Sequence, residues 1–121
     1  MSDRDDKAMD QAADKLSAAY LALHAVCHEL PIAIMLPLDA ATPGGCATAI
    51  IRAITVLDEE PLPMAVKRKA QLACIAWLNA LDLFRLQDAA PRVYRMAGLA
   101  LSLANLAESV AEVQAWLVEQ E

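Results

Sequence analysis

The residues of this sequence best suited to bind a metal ion are its two histidines, His24 and His28. They lie four positions apart, so a helix would place both imidazoles on one face, within reach of a single transition-metal ion. Tyr20 lies one turn earlier on the same side, and Cys27 lies between the histidines. Because no second ligand pair follows in the sequence, we expect either solvent-facing histidines near a helix end or a metal site that a second copy of the chain completes.

Cys46 is the candidate for a reactive sulfur. It follows the segment Thr42-Pro43-Gly44-Gly45 in the first turn of a predicted helix, where the positive helix end favours a thiolate. No base accompanies it in sequence, although a histidine of the first helix could approach it in the fold. The segment lacks the lysine and the spacing of a P-loop. It therefore indicates an ordinary helix start with a small cysteine in its first turn.

No group of residues in the sequence forms a recognisable catalytic site. The densest carboxylate run, Asp58-Glu59-Glu60, precedes the basic run Lys67-Arg68-Lys69. Each run would lie at the helix end that disfavours its charge, so we expect the two runs to pair across a turn. Asn79, Asp82 and Arg85 form a thin polar line that is typical of a local network within an apolar interface. We therefore predict a protein that is not an enzyme and requires no cofactor.

Charge and cysteine usage narrow the partners and the compartment. The 121-residue chain has a formal net charge of −6, so it would be repelled by a phosphate backbone and we expect no nucleic-acid binding. Its three cysteines are an odd number without a Cys-x-x-Cys pair, which is typical of reduced thiols in a cytoplasmic protein. The acidic N-terminus and the short apolar stretches predict neither a signal peptide nor a membrane span.

Alanine and leucine dominate the sequence and apolar residues hardly ever alternate, which predicts an all-α structure. The expected helices span about residues 3–29, from the Thr42-Pro43-Gly44-Gly45 start to about 57, and about 63–86. A fourth helix is expected to begin with Asp88 as its cap and Pro91 in its first turn. Residues 30–38 include two prolines, so we predict a buried apolar connector with at most one helical turn.

These elements predict one domain over residues 1–121, with a four-helix bundle-like fold of three long helices and one short one. Apolar residues make up 58% of the chain, and two of the helices are apolar on more than one face. A lone four-helix bundle cannot bury so much apolar surface. We therefore predict a homodimer, because symmetric pairing is the commonest way to cover such a surface.

Three functional hypotheses follow from the sequence. The first is a non-enzymatic, dimeric interaction or regulatory protein that binds another protein through an apolar helix face. The second is a small-molecule sensor or carrier with a pocket beneath the 31–38 loop. The third is a transition-metal protein that uses His24 and His28. For the first two hypotheses the candidate binding residues are apolar side chains of that loop and of the last two long helices: Ile34, Met35, Trp77, Phe84, Leu101 and Trp116.

Overall fold

Four α-helices make up the fold in a computed structural model that describes residues 3–38 and 43–121. Helix α1 spans Asp3–His28, α2 Pro43–Leu57, α3 Met64–Ala89 and α4 Val93–Glu119. The described ranges contain no strand. The all-α, bundle-like prediction is therefore confirmed, with three long helices and one short one. Thr42, expected at the start of the second helix, lies outside the described residues.

The turn between α3 and α4 differs from the sequence prediction. Asp88 does not cap the fourth helix but lies in the last turn of α3, and α4 begins only at Val93. The reason is Pro91, which forces the preceding Ala90 out of the helical region, to φ −150° and ψ 89°. A side chain of α3 caps the start of α4, since the N–H of Arg92, the residue before α4, donates to Gln87 Oε1 at 2.8 Å.

Helices α3 and α4 form an antiparallel hairpin with the most extensive contact in the fold, and α1 packs against both of them. Gly98 lets the two helices approach closely, because a Cβ at this position would lie 3.2 Å from Leu83 Cδ1. One apolar stripe of α4 faces the interior. Its most deeply buried members are Leu99, Leu106, Val110 and Val113.

Trp77 of α3 lies at the centre of the contact with α1. Its indole N–H donates to the Leu16 carbonyl at 2.9 Å, and its ring packs 5.5 Å from the ring of Tyr20. Only 3% of the side chain is exposed. Burial and a satisfied N–H together make Trp77 an anchor between the two helices.

Helix α2 depends on α3 for its position, because among the described helices its backbone comes close to α3 alone. Ile50, Ala53 and Leu57 of α2 are buried in the core. Gln71 of α3 adds a polar connection, since its Nε2 donates to the Ile54 carbonyl at 3.0 Å and to Asp58 Oδ1 at 2.8 Å. The two charged runs meet only through a backbone atom, since Lys67 Nζ donates to the Asp58 carbonyl at 2.8 Å, whereas Lys69 forms its salt bridge with Glu112 of α4.

The connector after α1 is mostly exposed, so the prediction of a buried segment was wrong. Leu30 and Leu36 are buried, whereas Ile32, Met35 and Leu38 are each more than half exposed. Residues 33–37 contain no helical turn. A single extended segment on the surface can turn only part of its side chains inward, and Pro31 and Pro37 prevent it from folding back as a helix.

Helix α4 is the one described helix that is long and apolar enough to cross a membrane, by length and composition alone. The sequence analysis expected no segment long enough to span a membrane, because it considered only apolar stretches without a charged residue. The same criterion is met by core helices of soluble proteins. In this fold Leu99, Leu106 and Val113 of α4 are buried within the bundle.

Candidate functional site

Three large apolar side chains are exposed on one side of the α3–α4 hairpin. Leu72 and Ile75 of α3 are 51% and 42% exposed, and Leu101 of α4 is 66% exposed. Ile75 lies two positions from Trp77, which places it roughly 160° around the helix from the side that contacts α1. We call this surface the α3–α4 face: Leu72, Ile75, Asn79, Leu101 and Asn105.

The α3–α4 face encloses a shallow groove of about 320 Å³ between the two helices. Neutral polar side chains line its middle, Asn79 from α3 and Ser102 and Asn105 from α4. At one end Lys69 Nζ and Glu112 Oε2 form a salt bridge of 3.0 Å. Both side chains are nearly half exposed, so this pair contributes little to stability.

The structure separates the apolar residues proposed as one binding site. Trp77 belongs to the core, Phe84 and Trp116 are partly buried against it, and Leu101 lies on the α3–α4 face. Ile34 and Met35 lie on the connector, beside α2. Trp77 and Met35 therefore do not line a shared cavity. What the 31–38 loop does form is an open groove of about 290 Å³ with Arg52 and Val56 of α2.

The two histidines face the same side of α1, as their spacing predicts. The ring centroids of His24 and His28 are 6.3 Å apart and the ring planes differ by 9°. The connector brings a sulfur to this pair, because Met35 Sδ lies 3.2 Å from His28 Nδ1. The sequence analysis named Met35 only as an apolar lining residue, and no spacing rule relates it to the histidines.

Three hydrogen bonds hold the connector in place around Met35. The Ile34 N–H donates to the Cys27 carbonyl at 3.0 Å, and the Ile32 N–H donates to Glu60 Oε1 at 3.1 Å. The Tyr20 hydroxyl donates to the Pro37 carbonyl at 2.7 Å. Burial, followed by the contact with Cys46, raises the pKa of Tyr20 above its ordinary value. Tyr20 therefore stays protonated and donates a hydrogen bond to the connector rather than binding a metal ion.

We expect Glu60→Ala to lower the free energy of unfolding by about 1–3 kcal/mol. The substitution removes the buried carboxylate that accepts the hydrogen bond of the Ile32 N–H, and it leaves that N–H without an acceptor. Glu60→Gln keeps an oxygen in that position and should cost less. Glu59→Ala, at the exposed neighbouring residue, is the control and should stay within about 0.5 kcal/mol of wild type. Urea unfolding followed by circular dichroism measures all three, and equal stability of the two Glu60 variants would contradict the role of the hydrogen bond.

The three cysteines differ in access. Cys46 is partly exposed on the first turn of α2, and its interaction partner on α1 is Tyr20 rather than a histidine. Cys27 and Cys74 are buried. Burial, together with the nearby Glu60 charge, raises the pKa of Cys27 from 9.0 to about 11. Burial, followed by the charge of Cys27, raises the pKa of Cys74 to about 12.

We expect iodoacetamide to alkylate Cys46 in the folded protein and to leave Cys27 and Cys74 unmodified, since buried thiols with a raised pKa are rarely thiolates. Peptide mass spectrometry at pH 8 identifies the labelled residue. In urea all three cysteines should react, which controls for reagent quality. Native labelling of Cys74 would show that α3 opens far more readily than its burial implies.

Alkaline pH should destabilise the fold. Below pH 9 the thiols are protonated in both the folded and the unfolded chain, so their contribution to stability is complete. Above pH 9 they ionise in the unfolded chain but stay protonated in the folded one, up to a pKa of about 11 for Cys27 and about 12 for Cys74. Each thiol then lowers the free energy of unfolding by about 1.4 kcal/mol per pH unit. Urea titrations from pH 8 to 11 test this, and the Cys27→Ala/Cys74→Ala double variant should lose less stability over that range.

Comparison with known proteins gives no relative: no family model, no curated protein and no solved structure matches the chain.

Proposed function

We propose that the chain is a non-enzymatic interaction protein whose α3–α4 face binds a second copy of the chain, so that it forms a homodimer. The observation that carries the proposal is the exposure of three large apolar side chains on the outer side of the hairpin, Leu72, Ile75 and Leu101. Large exposed apolar side chains that flank a groove between two adjacent helices are typical of an interaction site.

The total surface of the chain supports a second copy as the occupant. The accessible surface is 7268 Å². A monomer of this mass is expected to expose roughly 6,300 Å². The chain therefore exposes more surface than a typical monomer of its mass, as expected of a protein that covers part of its surface with a partner.

The composition of the α3–α4 face suits pairing with itself. In a two-fold dimer the same patch meets its own copy, so its polar groups must complement themselves. The carboxamides of Asn79 and Asn105 each carry both donors and an acceptor, which permits this. The larger side chains around them, Leu72, Ile75 and Leu101, project from the helices beside the small Ser102 and Ala76. Two copies of the patch can pack closely when the large side chains of one copy fit against the small side chains of the other.

The test is the molar mass of wild type and two variants by size-exclusion chromatography with light scattering. Wild type should elute as a dimer. Leu72→Glu places a carboxylate in the groove that Glu108 also lines, so the dimer should dissociate to a monomer with unchanged helical content. Leu21→Glu is the matched control, because Leu21 is similarly exposed but lies on α1. It should remain a dimer.

A wild-type monomer over the whole concentration range would overturn the homodimer and leave the α3–α4 face free for a different protein. Dissociation by Leu21→Glu but not by Leu72→Glu would place the dimer contact on α1 and would equally overturn the proposal. Circular dichroism of each variant separates dissociation from unfolding.

A further inference from the structure

We propose that His24, His28 and Met35 form a binding site for copper(I). The site combines two imidazoles one helical turn apart on α1 with a thioether from the connector that follows. It lies on α1 and the connector and uses no residue of α3 or α4. The copper site and the dimer can therefore be tested separately.

The donor set identifies the class of metal. Thioether sulfur is a soft ligand that selects copper(I), and imidazole binds copper well, whereas magnesium and calcium prefer oxygen ligands. Among the described residues no three His, Cys, Asp or Glu side chains converge in a way that could hold a metal ion. The ligand that we add to the two histidines is therefore the thioether of Met35, whose sulfur contacts His28.

The geometry fits a shared ion. Bonds from a first-row metal to imidazole nitrogen and to sulfur are about 2.0 Å and 2.3 Å, which places two such ligand atoms ~3.5 Å apart around one ion. His28 Nδ1 and Met35 Sδ are 3.2 Å apart. The parallel rings of His24 and His28, 6.3 Å apart, lie on one side of α1, and two histidines four positions apart on a helix can bind one metal ion.

Cys27 lies between the histidines in sequence and would be the softest ligand available. Its side chain is buried, however, at 2% exposure, so it is not available to an ion at the surface. The backbone of Cys27 contributes to the site instead. Its carbonyl accepts a hydrogen bond from the N–H of Ile34, the residue before Met35, and so holds the connector in place.

The connector presents Met35 in a fixed position. Hydrogen bonds from Ile32 to Glu60, from Ile34 to Cys27 and from Tyr20 to Pro37 restrain the backbone on both sides of Met35. Met35 itself is 64% exposed, which leaves its thioether accessible to an incoming ion. A ligand whose backbone is already ordered loses less entropy on binding, so these restraints favour binding of copper(I).

The test is competition for copper(I) between the chain and bicinchoninate under anaerobic, reducing conditions. All measurements use the Cys46→Ala background, because Cys46 is a partly exposed thiol that binds copper(I) on its own. We expect one copper(I) per chain. Met35→Leu removes the sulfur but keeps the size of the side chain, and Met64→Leu is the matched control at another exposed methionine.

We expect His24→Ala, His28→Ala and Met35→Leu each to weaken copper(I) binding at least 10-fold, since loss of a mere supporting contact to a ligand costs about 10–100-fold. Met64→Leu should bind like its parent. Zinc, which seldom takes thioether ligands, should bind equally to the parent and to Met35→Leu. Binding by Met35→Leu as tight as by Met64→Leu, or loss of stoichiometric copper in the Cys46→Ala background, would overturn the site.

Discussion

Trp77→Ala is expected to lower the free energy of unfolding by about 3–5 kcal/mol, the range for removal of a buried aromatic side chain. Trp77 is 3% exposed and fills the space between α3 and α1. Its removal leaves a cavity against Tyr20 and takes away the donor to the Leu16 carbonyl. Because a domain of this size is stable by only about 5–15 kcal/mol, the variant should unfold at much lower urea concentration.

Two further variants show which part of Trp77 matters. Trp77→Phe keeps an aromatic ring and loses the N–H, so it should cost roughly 1 kcal/mol, the value of one hydrogen bond, plus a smaller packing loss. Trp116→Ala removes the other tryptophan, which is only partly buried, and should cost less than Trp77→Ala. Urea unfolding followed by circular dichroism avoids reliance on tryptophan fluorescence. Equal costs at the two tryptophans would contradict the central position of Trp77.

Ile50→Ala is expected to cost about 2–5 kcal/mol and to act mainly on α2. Ile50 is fully buried in the contact with α3, while the adjacent Ile51 is 55% exposed. Since the α2 backbone comes close to α3 alone among the described helices, a weaker contact with α3 leaves α2 with few other helix contacts, such as that of Cys46 with Tyr20. We therefore expect faster amide hydrogen exchange in α2 than in the α3–α4 hairpin.

Ile51→Ala is the matched control for Ile50→Ala, with the same chemical change one residue further along the helix. It should alter stability by no more than about 0.5 kcal/mol, because it removes atoms that are already largely in water. Hydrogen exchange measured by mass spectrometry distinguishes local from global opening. Uniformly faster exchange over all four helices in Ile50→Ala would show that α2 does not open separately.

Sequence reasoning succeeded where apolar periodicity is long and strong. The buried stripe of α4 around Leu106 and Val110 follows from a repeat that any compact fold would turn inward. The bounds of α1 and α2 follow from proline and glycine signals at their ends. The predicted position of the boundary between α3 and α4 was wrong, because two sequence signals compete within a few residues. Asp88 is a good helix cap, but the restriction that Pro91 places on Ala90 determines where the chain leaves the helix.

The candidate sites show a similar division. The spacing of His24 and His28 was sufficient to predict one shared face, because a helix fixes the direction of side chains four positions apart. The approach of Met35 was not predictable, since a connector without regular structure has no period. Its course is determined by contacts that are distant in sequence, above all Glu60 and Tyr20. The exposed state of the connector was missed for the same reason.

The short connection between α3 and α4 has a consequence for the order of folding. Only residues 90–92 separate two long helices that share the most extensive contact in the protein. Closing so short a loop costs little chain entropy, and contacts between neighbouring segments form faster than contacts between distant ones. The hairpin is therefore the segment best able to form a nucleus, onto which α1 and α2 add later from the N-terminal half of the chain.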